Sequence, residues 1–234
     1  MSNIEKKASS PIEQEKELAA IAAVSYIQDQ QVIGLGSGST VYYAIREIGK
    51  LIQNGLQLKA IPTSKKTQAL AESFNIPIID SNSVDYIDVT IDGTDEFNED
   101  FVLIKGGGGA LFREKIVASM TRKMIIIADS GKQVIQLGLA FKLPIEVIPF
   151  ASNYVITQIK RLGGTCSIRS KEGNTFTTDQ GNWILDADFG HINDPLSLSK
   201  SLNEVVGIVC HGLFIGLADI ILVGEGDVTH TILP

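Results

Sequence analysis

Cysteine and histidine are scarce in this 234-residue chain, with two of the first and three of the second. Cys166 and Cys210 stand outside any C-x-x-C pair, and a chain of this length needs no disulfide staples, so both read as packed thiols. His191, His211 and His230 lack the spacing of a metal-binding motif, which leaves an imidazole metal site without support. Basic charge is also short: 20 Lys and Arg face 27 Asp and Glu, a net charge of −7. That is the wrong balance for a surface that tracks nucleic-acid phosphates. No apolar run reaches the roughly 18 residues of a membrane span, and the most apolar stretch, Leu213 to Val223, is broken by Gly216 and Asp219. The first twenty residues hold no apolar core of leader length and carry acids where a transit peptide would not. A cytoplasmic protein with no membrane or nucleic-acid partner is expected. Repeats, low-complexity tracts and linkers rich in Pro, Gly or Ser are missing as well.

What is present is alternation. Ser10, Pro11 and Glu13 form an S-x-x-E capping box with proline at the first helical position, predicting a helix to about Gln28. Val32 to Leu35 is an apolar strand running into Gly36-Ser37-Gly38-Ser39-Thr40. Val41, Ala44, Ile45, Ile48 and Ile52 then recur at helical spacing until Asn54-Gly55. Leu56 to Ile61 reads as a strand, Thr67 to Phe74 as a helix and Ile76 to Ile79 as a strand. Tyr86 to Asp92 is another, with Ile87, Val89 and Ile91 on one face. A short apolar run from Phe101 to Ile104, a glycine run, a helix from Leu111 to Lys123 and a strand from Met124 to Ala128 complete the series. This order predicts an α/β fold with a Rossmann-like, mostly parallel sheet and helices on both faces.

From Pro144 and Pro149 the texture changes. Ile145 to Ile148 is apolar, a helix is expected near Tyr154 to Leu162, and short strands rich in Thr, Gly and Asn follow up to Leu185. These predict a smaller α+β domain. Ile220 to Val223 is wholly apolar, like strands inside a parallel sheet, so the chain should return to the first domain. The expected division is 1–141 with 212–234 for the Rossmann-like domain and 142–211 for the smaller one, with a role in assembly.

Ligands of open α/β sheets bind where loops converge at the carboxyl ends of the strands. The loop from Gly34 to Thr40 offers small residues, the hydroxyls of Ser37, Ser39 and Thr40, and the N–H groups of a helix start, which suit a phosphate. It could also be only a tight turn. It is no dinucleotide fingerprint, because Ser39 occupies the third glycine position and no acid follows the next strand at Ile61-Pro62-Thr63-Ser64-Lys65. A G-K-[ST] phosphate loop is missing too. The acidic loop from Asp92 through Gly93, Thr94 and Asp95 to Glu96 could bind sugar hydroxyls or relay protons, although Asp95 could equally cap a helix and Glu96 face water. Lys105 precedes Gly106, Gly107, Gly108 and Gly109, whose entropic cost marks a place where backbone approaches something closely. Glu114 follows in the first turn of a helix, a place where a lone glutamate is most often a surface residue complementing the dipole. Lys132, in Asp129-Ser130-Gly131-Lys132, could hold an anion or face water.

Together these segments resemble the ribose-5-phosphate isomerases of the A type. The likeness covers Gly34 to Thr40, Asp92 to Glu96, Lys105 to Ala110 with Arg113-Glu114-Lys115-Ile116, Asp129 to Gln133, and Leu143 to Pro149. It continues through Leu162-Gly163-Gly164 and Asn182 to Asp186. Thr94 stands where alanine is usual, Ser37 where threonine is common and Phe112 where a small polar residue often occurs. The resemblance implies interconversion of ribose 5-phosphate and ribulose 5-phosphate without metal or organic cofactor, in a homodimer or homotetramer. It implies Glu114 as base, and substrate binding by Ser37, Gly38, Ser39, Thr40, Asp92, Gly93, Thr94, Asp95, Lys105, Gly106, Gly107, Gly108 and Lys132.

The chemistry of such a step suits these residues. One carboxylate, Glu114, can take a proton from C2 and return it to C1, while Lys105 and glycine amides stabilise the enediolate. Asp92, with Lys105 or Asp95, is the expected pair for ring opening. Lys16, from the first helix, is a further candidate for the phosphate. Two other classes stay open: a metal-dependent sugar-phosphate enzyme using Asp92, Asp95 and Glu96 as oxygen ligands, and a non-enzymatic sugar-phosphate sensor on the same scaffold.

Overall fold

The structure is a computed structural model that describes residues 10–234. The reading of a leader-free start falls in part on residues 1–9, outside the described residues. In chain order the first half contains α1 (Pro11–Val24), β1 (Val32–Leu35), α2 (Ser39–Gln53), β2 (Lys59–Pro62), α3 (Lys65–Ser73) and β3 (Val89–Gly93). It continues with β4 (Glu96–Phe97), β5 (Val102–Ile104), α4 (Leu111–Met120) and β6 (Met124–Asp129). The second half contains β7 (Leu143–Val147), α5 (Ser152–Arg161), β8 (Thr165–Ile168), β9 (Ser170–Lys171), β10 (Asn174–Thr175) and β11 (Trp183–Asp188). Then come α6 (Pro195–Asn203), β12 (Ile208–His211), β13 (Leu213–Ile215), β14 (Ile220–Glu225) and β15 (Val228–Ile232).

The main sheet runs β15-β14-β6-β3-β1-β2. All its pairings are parallel except β14 with β15. Apolar residues on both faces of β6, every one of its six positions buried, explain why helices must cover both sides. The chain steps from β1 outward to β2 and then returns to place β3 on the other side of β1, so the crevice between the ends of β1 and β3 is a topological switch point. A four-stranded sheet, β12-β7-β11-β8, is antiparallel throughout, and β13-β5-β4 form a third sheet. The expected return of the chain is observed: β14 lies beside β6, with Ile220 opposite Ile125.

Some expected boundaries move for local reasons. Helix α1 stops at Val24 rather than Gln28, because the Ser25 hydroxyl binds the Ala22 carbonyl and Tyr26 and Ile27 close tighter turns onto Ala23 and Val24. Ser10 accepts the Glu13 N–H at 3.4 Å, but the Glu13 carboxylate turns to Lys16 and Tyr43, so the capping box is only half made. Of Ile76 to Ile79 only Ile78 bridges Ala60, since Pro77 has no N–H to extend a ladder. Ile87 packs with Ile61 and Val117, away from Val89 and Ile91, because it precedes the regular strand.

Helix α1 is fixed on the main sheet through Glu15. Its carboxylate accepts the Ser130 N–H and hydroxyl and the Gly226 N–H, while Ala19, Ala20 and Ala23 pack inward. The next residue, Lys16, is thereby held over the carboxyl ends of the strands.

Candidate active site

A cavity of about 290 Å³ opens at the switch point. Its walls are the start of α2 (Ser37 to Thr40), the segment after β3 (Gly93, Thr94, Asp95), the run from Lys105 to Gly108, and Glu114. Lys16, Asp129 and Lys132 complete it. Among the catalytic and substrate-binding residues that the resemblance implies, Asp92 alone does not line it. It lies one layer behind, with no solvent exposure. Its Oδ1 accepts the N–H groups of Ser37 at 3.1 Å and Gly93 at 2.7 Å, and its Oδ2 stands 3.0 Å from Lys105 Nζ. Glycine at position 36 is required for this approach, because a Cβ there would sit 2.0 Å from Asp92 Oδ1.

Lys105 is the hub. Only 2 % exposed, it donates to the Gly93 carbonyl, pairs with Asp92 and reaches Glu114 Oε1 at 3.4 Å. Burial alone would pull the ammonium's pKa down. The carboxylates of Asp92 and Glu114 outweigh it and hold the lysine above its ordinary value. Glu114 experiences the opposite balance. Burial, reinforced by the charges of Asp92 and Asp95 and resisted by Lys105, pushes its carboxyl up to about 8. Burial likewise raises Asp92, against the pull of Lys105. One cation thus serves two carboxylates, and Glu114 is the one that faces the cavity. Its Oε2 is buried and has no hydrogen-bond partner among the described residues.

The other end of the cavity is built for an anion. Helix α2 begins after Gly38, whose φ of 131° only glycine adopts readily, and no side chain caps its first turn. No acid lies in that turn. Its open N–H groups, the Ser39 and Thr40 positions and the residues Lys16, whose ammonium is paired with Glu13 at 2.6 Å, and Lys132 border the same space. Ser37 contributes differently from the expectation. Its N–H is given to Asp92, and its hydroxyl sits among those of Thr63, Ser64 and Thr67 at 2.8–2.9 Å, so both groups brace the loop.

The acidic segment resolves into three separate roles. Asp95 caps no helix; its Oδ2 accepts the Gly107 N–H at 2.7 Å. Glu96 does not face water but is buried and accepts the Gly138 N–H at 2.9 Å. Asp92, Asp95 and Glu96 therefore hold different partners and do not converge. The Thr94 hydroxyl binds the carbonyls of Glu96 and Ile104, using the extra group to brace the turn. Close approach, the reading of the glycine run, is met at Gly107, where a Cβ would lie 2.5 Å from Asp95 and 2.9 Å from Phe141.

Sequence reasoning missed Arg169 and Asp186. Arg169, between β8 and β9, donates to the carbonyls of Gly106 and Gly107 at 2.9 and 3.0 Å. Its other edge pairs with Asp186 on β11. Only the Asn182 to Asp186 segment carried a hint, and nothing in its spacing pointed to the glycine run. His211 is a buried packed histidine whose pKa is pushed down to about 3 by burial and the Lys115 charge. The described residues contain no group of three or more His, Cys, Asp or Glu side chains placed to hold a metal ion, and no helix among them is long and apolar enough to cross a membrane.

An open helix start and a buried carboxylate–lysine pair on one cavity of a parallel α/β sheet suit an enzyme acting on a small phosphorylated substrate. Residues 59–228 match the family described as ribose 5-phosphate isomerase A (phosphoriboisomerase A). The ribose-5-phosphate isomerase A of Sphingopyxis alaskensis is 43 % identical over 216 residues, covering 92 % of this chain and 94 % of that protein. That of Bacillus mycoides is 45 % identical over 210 residues, covering 89 % and 95 %. Among solved structures, a D-ribose-5-phosphate isomerase in complex with phospho-erythronic acid superposes with a TM-score of 0.93 at 36 % identity, covering 95 % of this chain and 99 % of that one. The ribose 5-phosphate isomerase A of Methanocaldococcus jannaschii gives 0.89 at 36 % identity, covering 94 % and 98 %. The chain belongs to the ribose 5-phosphate isomerase A family.

Proposed function

We propose that Glu114 carries the proton in the isomerisation of D-ribose 5-phosphate to D-ribulose 5-phosphate, the aldose–ketose reaction of the family. The observation that carries this reading is the buried Oε2 of Glu114, without a partner among the described residues, in a cavity that an open helix N-terminus, Lys16 and Lys132 also line. Phosphate held by Ser39, Thr40, Lys16 and Lys132 anchors the substrate tail, so that binding energy there orients the reacting carbons.

Ring opening falls to Asp95, which lines the cavity, with Lys105 beside it; Asp92, shut away behind Lys105, positions that lysine. In the open chain, Glu114 takes the C2 proton and the electron pair moves into the C1–C2 bond. The charge on O1 is stabilised by the Lys105 ammonium and by a glycine amide. Glu114 then returns the proton to C1 as the O2 hydroxyl loses its own to become the ketone and O1 takes one up. The test is incubation with ribose 5-phosphate in deuterated water. Ribulose 5-phosphate carrying deuterium at C1 is expected; absence of the ketose would overturn the reading. Phospho-erythronic acid, whose planar carboxylate resembles the enediolate end of the substrate, should compete with ribose 5-phosphate.

We further propose that residues 142–211 form an assembly domain through which the chain pairs as a homodimer, alone or within a homotetramer. Support comes from Phe150, fully exposed, with Ile148, Tyr154 and Val206 exposed around it. The Ile148 N–H binds the Gly207 carbonyl, which brings Val206 to the same patch. Phe150→Asp should lower the mass seen in sedimentation; an unchanged oligomer would contradict this. Cytoplasmic residence suits a dianionic substrate that crosses bilayers poorly, and cell fractionation tests it.

A further inference from the structure

Two peptide units of the glycine run decide which N–H groups meet the cavity. In each unit the carbonyl and the following N–H point in opposite directions. The carbonyls of Gly106 and Gly107 are both held by one Arg169 nitrogen, Nη1, at 2.9 and 3.0 Å. The N–H groups of Gly107 and Gly108 must therefore face away from Arg169. The first is donated to Asp95 at 2.7 Å. The second has no partner among the described residues, and Gly108 lines the cavity. A Cβ at Gly108 would meet nothing within 4 Å, so space for a ligand atom lies beside it.

Arg169 is itself fixed from the antiparallel sheet. Its Nε donates to Asp186 Oδ2 at 3.0 Å and its Nη2 to Oδ1, the two-pronged geometry that only a guanidinium supplies. Its backbone N–H binds the Ile184 carbonyl and its carbonyl accepts from Phe176. The Gly106 carbonyl also accepts the Gly109 N–H at 3.0 Å, so Arg169 shares that unit with the turn, whereas the Gly107 carbonyl has Arg169 as its one partner among the described residues.

We propose that Arg169, oriented by Asp186, is a positioning residue that turns the Gly107 and Gly108 amides toward Asp95 and the reacting oxygen. A cation on the carbonyl side also polarises each peptide, strengthening its N–H as a donor. Arg169 is not among the residues that line the cavity; it acts through the glycine run. The inference rests on the isomerase reading above and deepens it by naming what sets the amide that shares the enediolate charge with Lys105.

The test compares wild type with Arg169→Ala, Arg169→Lys and Asp186→Asn by kcat, KM, and affinity for phospho-erythronic acid and for inorganic phosphate. Misplaced amides should lower kcat about 10- to 100-fold. Affinity for phospho-erythronic acid should fall in parallel, while that for inorganic phosphate stays within about twofold. Lysine should not restore the rate, since one ammonium cannot span a carboxylate fork and two carbonyls. Added guanidinium should recover part of the kcat of Arg169→Ala. Wild-type kcat in the variants, full rescue by lysine, or a matching loss of phosphate affinity would overturn the inference. If Arg169→Ala does not fold, Asp186→Asn, which keeps the guanidinium but frees its fork, is read by the same criteria. A wild-type protein without isomerase activity would instead fail the underlying reading.

Discussion

Asp92 Oδ2 lies 3.0 Å from Lys105 Nζ, and both side chains are buried. Removing one member of a buried ion pair strands the other, at a typical cost of about 3–5 kcal/mol, whereas replacing both is often close to neutral. Lys105→Met should therefore lose stability by that order and lose about 10²–10³ in kcat through the enediolate oxygen. The double variant Asp92→Asn with Lys105→Met should regain most of the stability in denaturant melts and remain slow. Recovery of turnover along with stability would show that Lys105 serves folding alone.

The pH dependence follows from Glu114. Its ordinary value is 4.5, and in the folded chain burial, aided by Asp92 and Asp95, pushes it up to about 8. The folded state then binds the proton more tightly than the unfolded one, so this contribution to stability is full below 4.5 and is lost as pH rises to about 8. Glu114→Gln removes that loss. Its melting temperature relative to wild type should climb across this interval, and a flat difference would contradict the shift. For turnover the sign is reversed: the base acts when ionised, so kcat/KM should rise with pH to a limb near 8.

Lys16 and Lys132 border the open start of α2 without touching Glu114. Lys16→Ala and Lys132→Ala should raise KM for ribose 5-phosphate more than they change the solvent-exchange chemistry, each weakening a charge-assisted contact by roughly 1.5–3 kcal/mol. Inorganic phosphate inhibition should weaken in step. Unchanged inhibition in both variants would move the phosphate elsewhere.

The sheet and most of the cavity were legible in the sequence because their signals are local. Strands such as Val32–Leu35 and Met124–Asp129, the latter apolar as far as Ala128, are largely buried and so read as apolar runs. The glycines at 36 and 107 are dictated by side chains that press on them, Asp92 and Asp95, which lie in one short segment. What stayed hidden depends on partners far along the chain. The setback of Asp92 requires the Ser37 N–H, and the true role of Glu96 requires Gly138. Arg169 meets Gly106 across 63 residues, a contact no periodicity announces. Helix α6 is not among the elements expected above although Asp194 and Pro195 supply a start signal, the Asp194 side chain accepting the Ser197 N–H at 2.9 Å.

The most direct measurement of the central claim is the turnover of Glu114→Gln on ribose 5-phosphate, taken with the melting curve of the same preparation. The variant preserves shape and should fold like the wild type while losing about 10²–10⁴ or more in kcat, with deuterium exchange at the reacting carbons lost alongside. A folded Glu114→Gln protein that turns over at the wild-type rate would contradict the account.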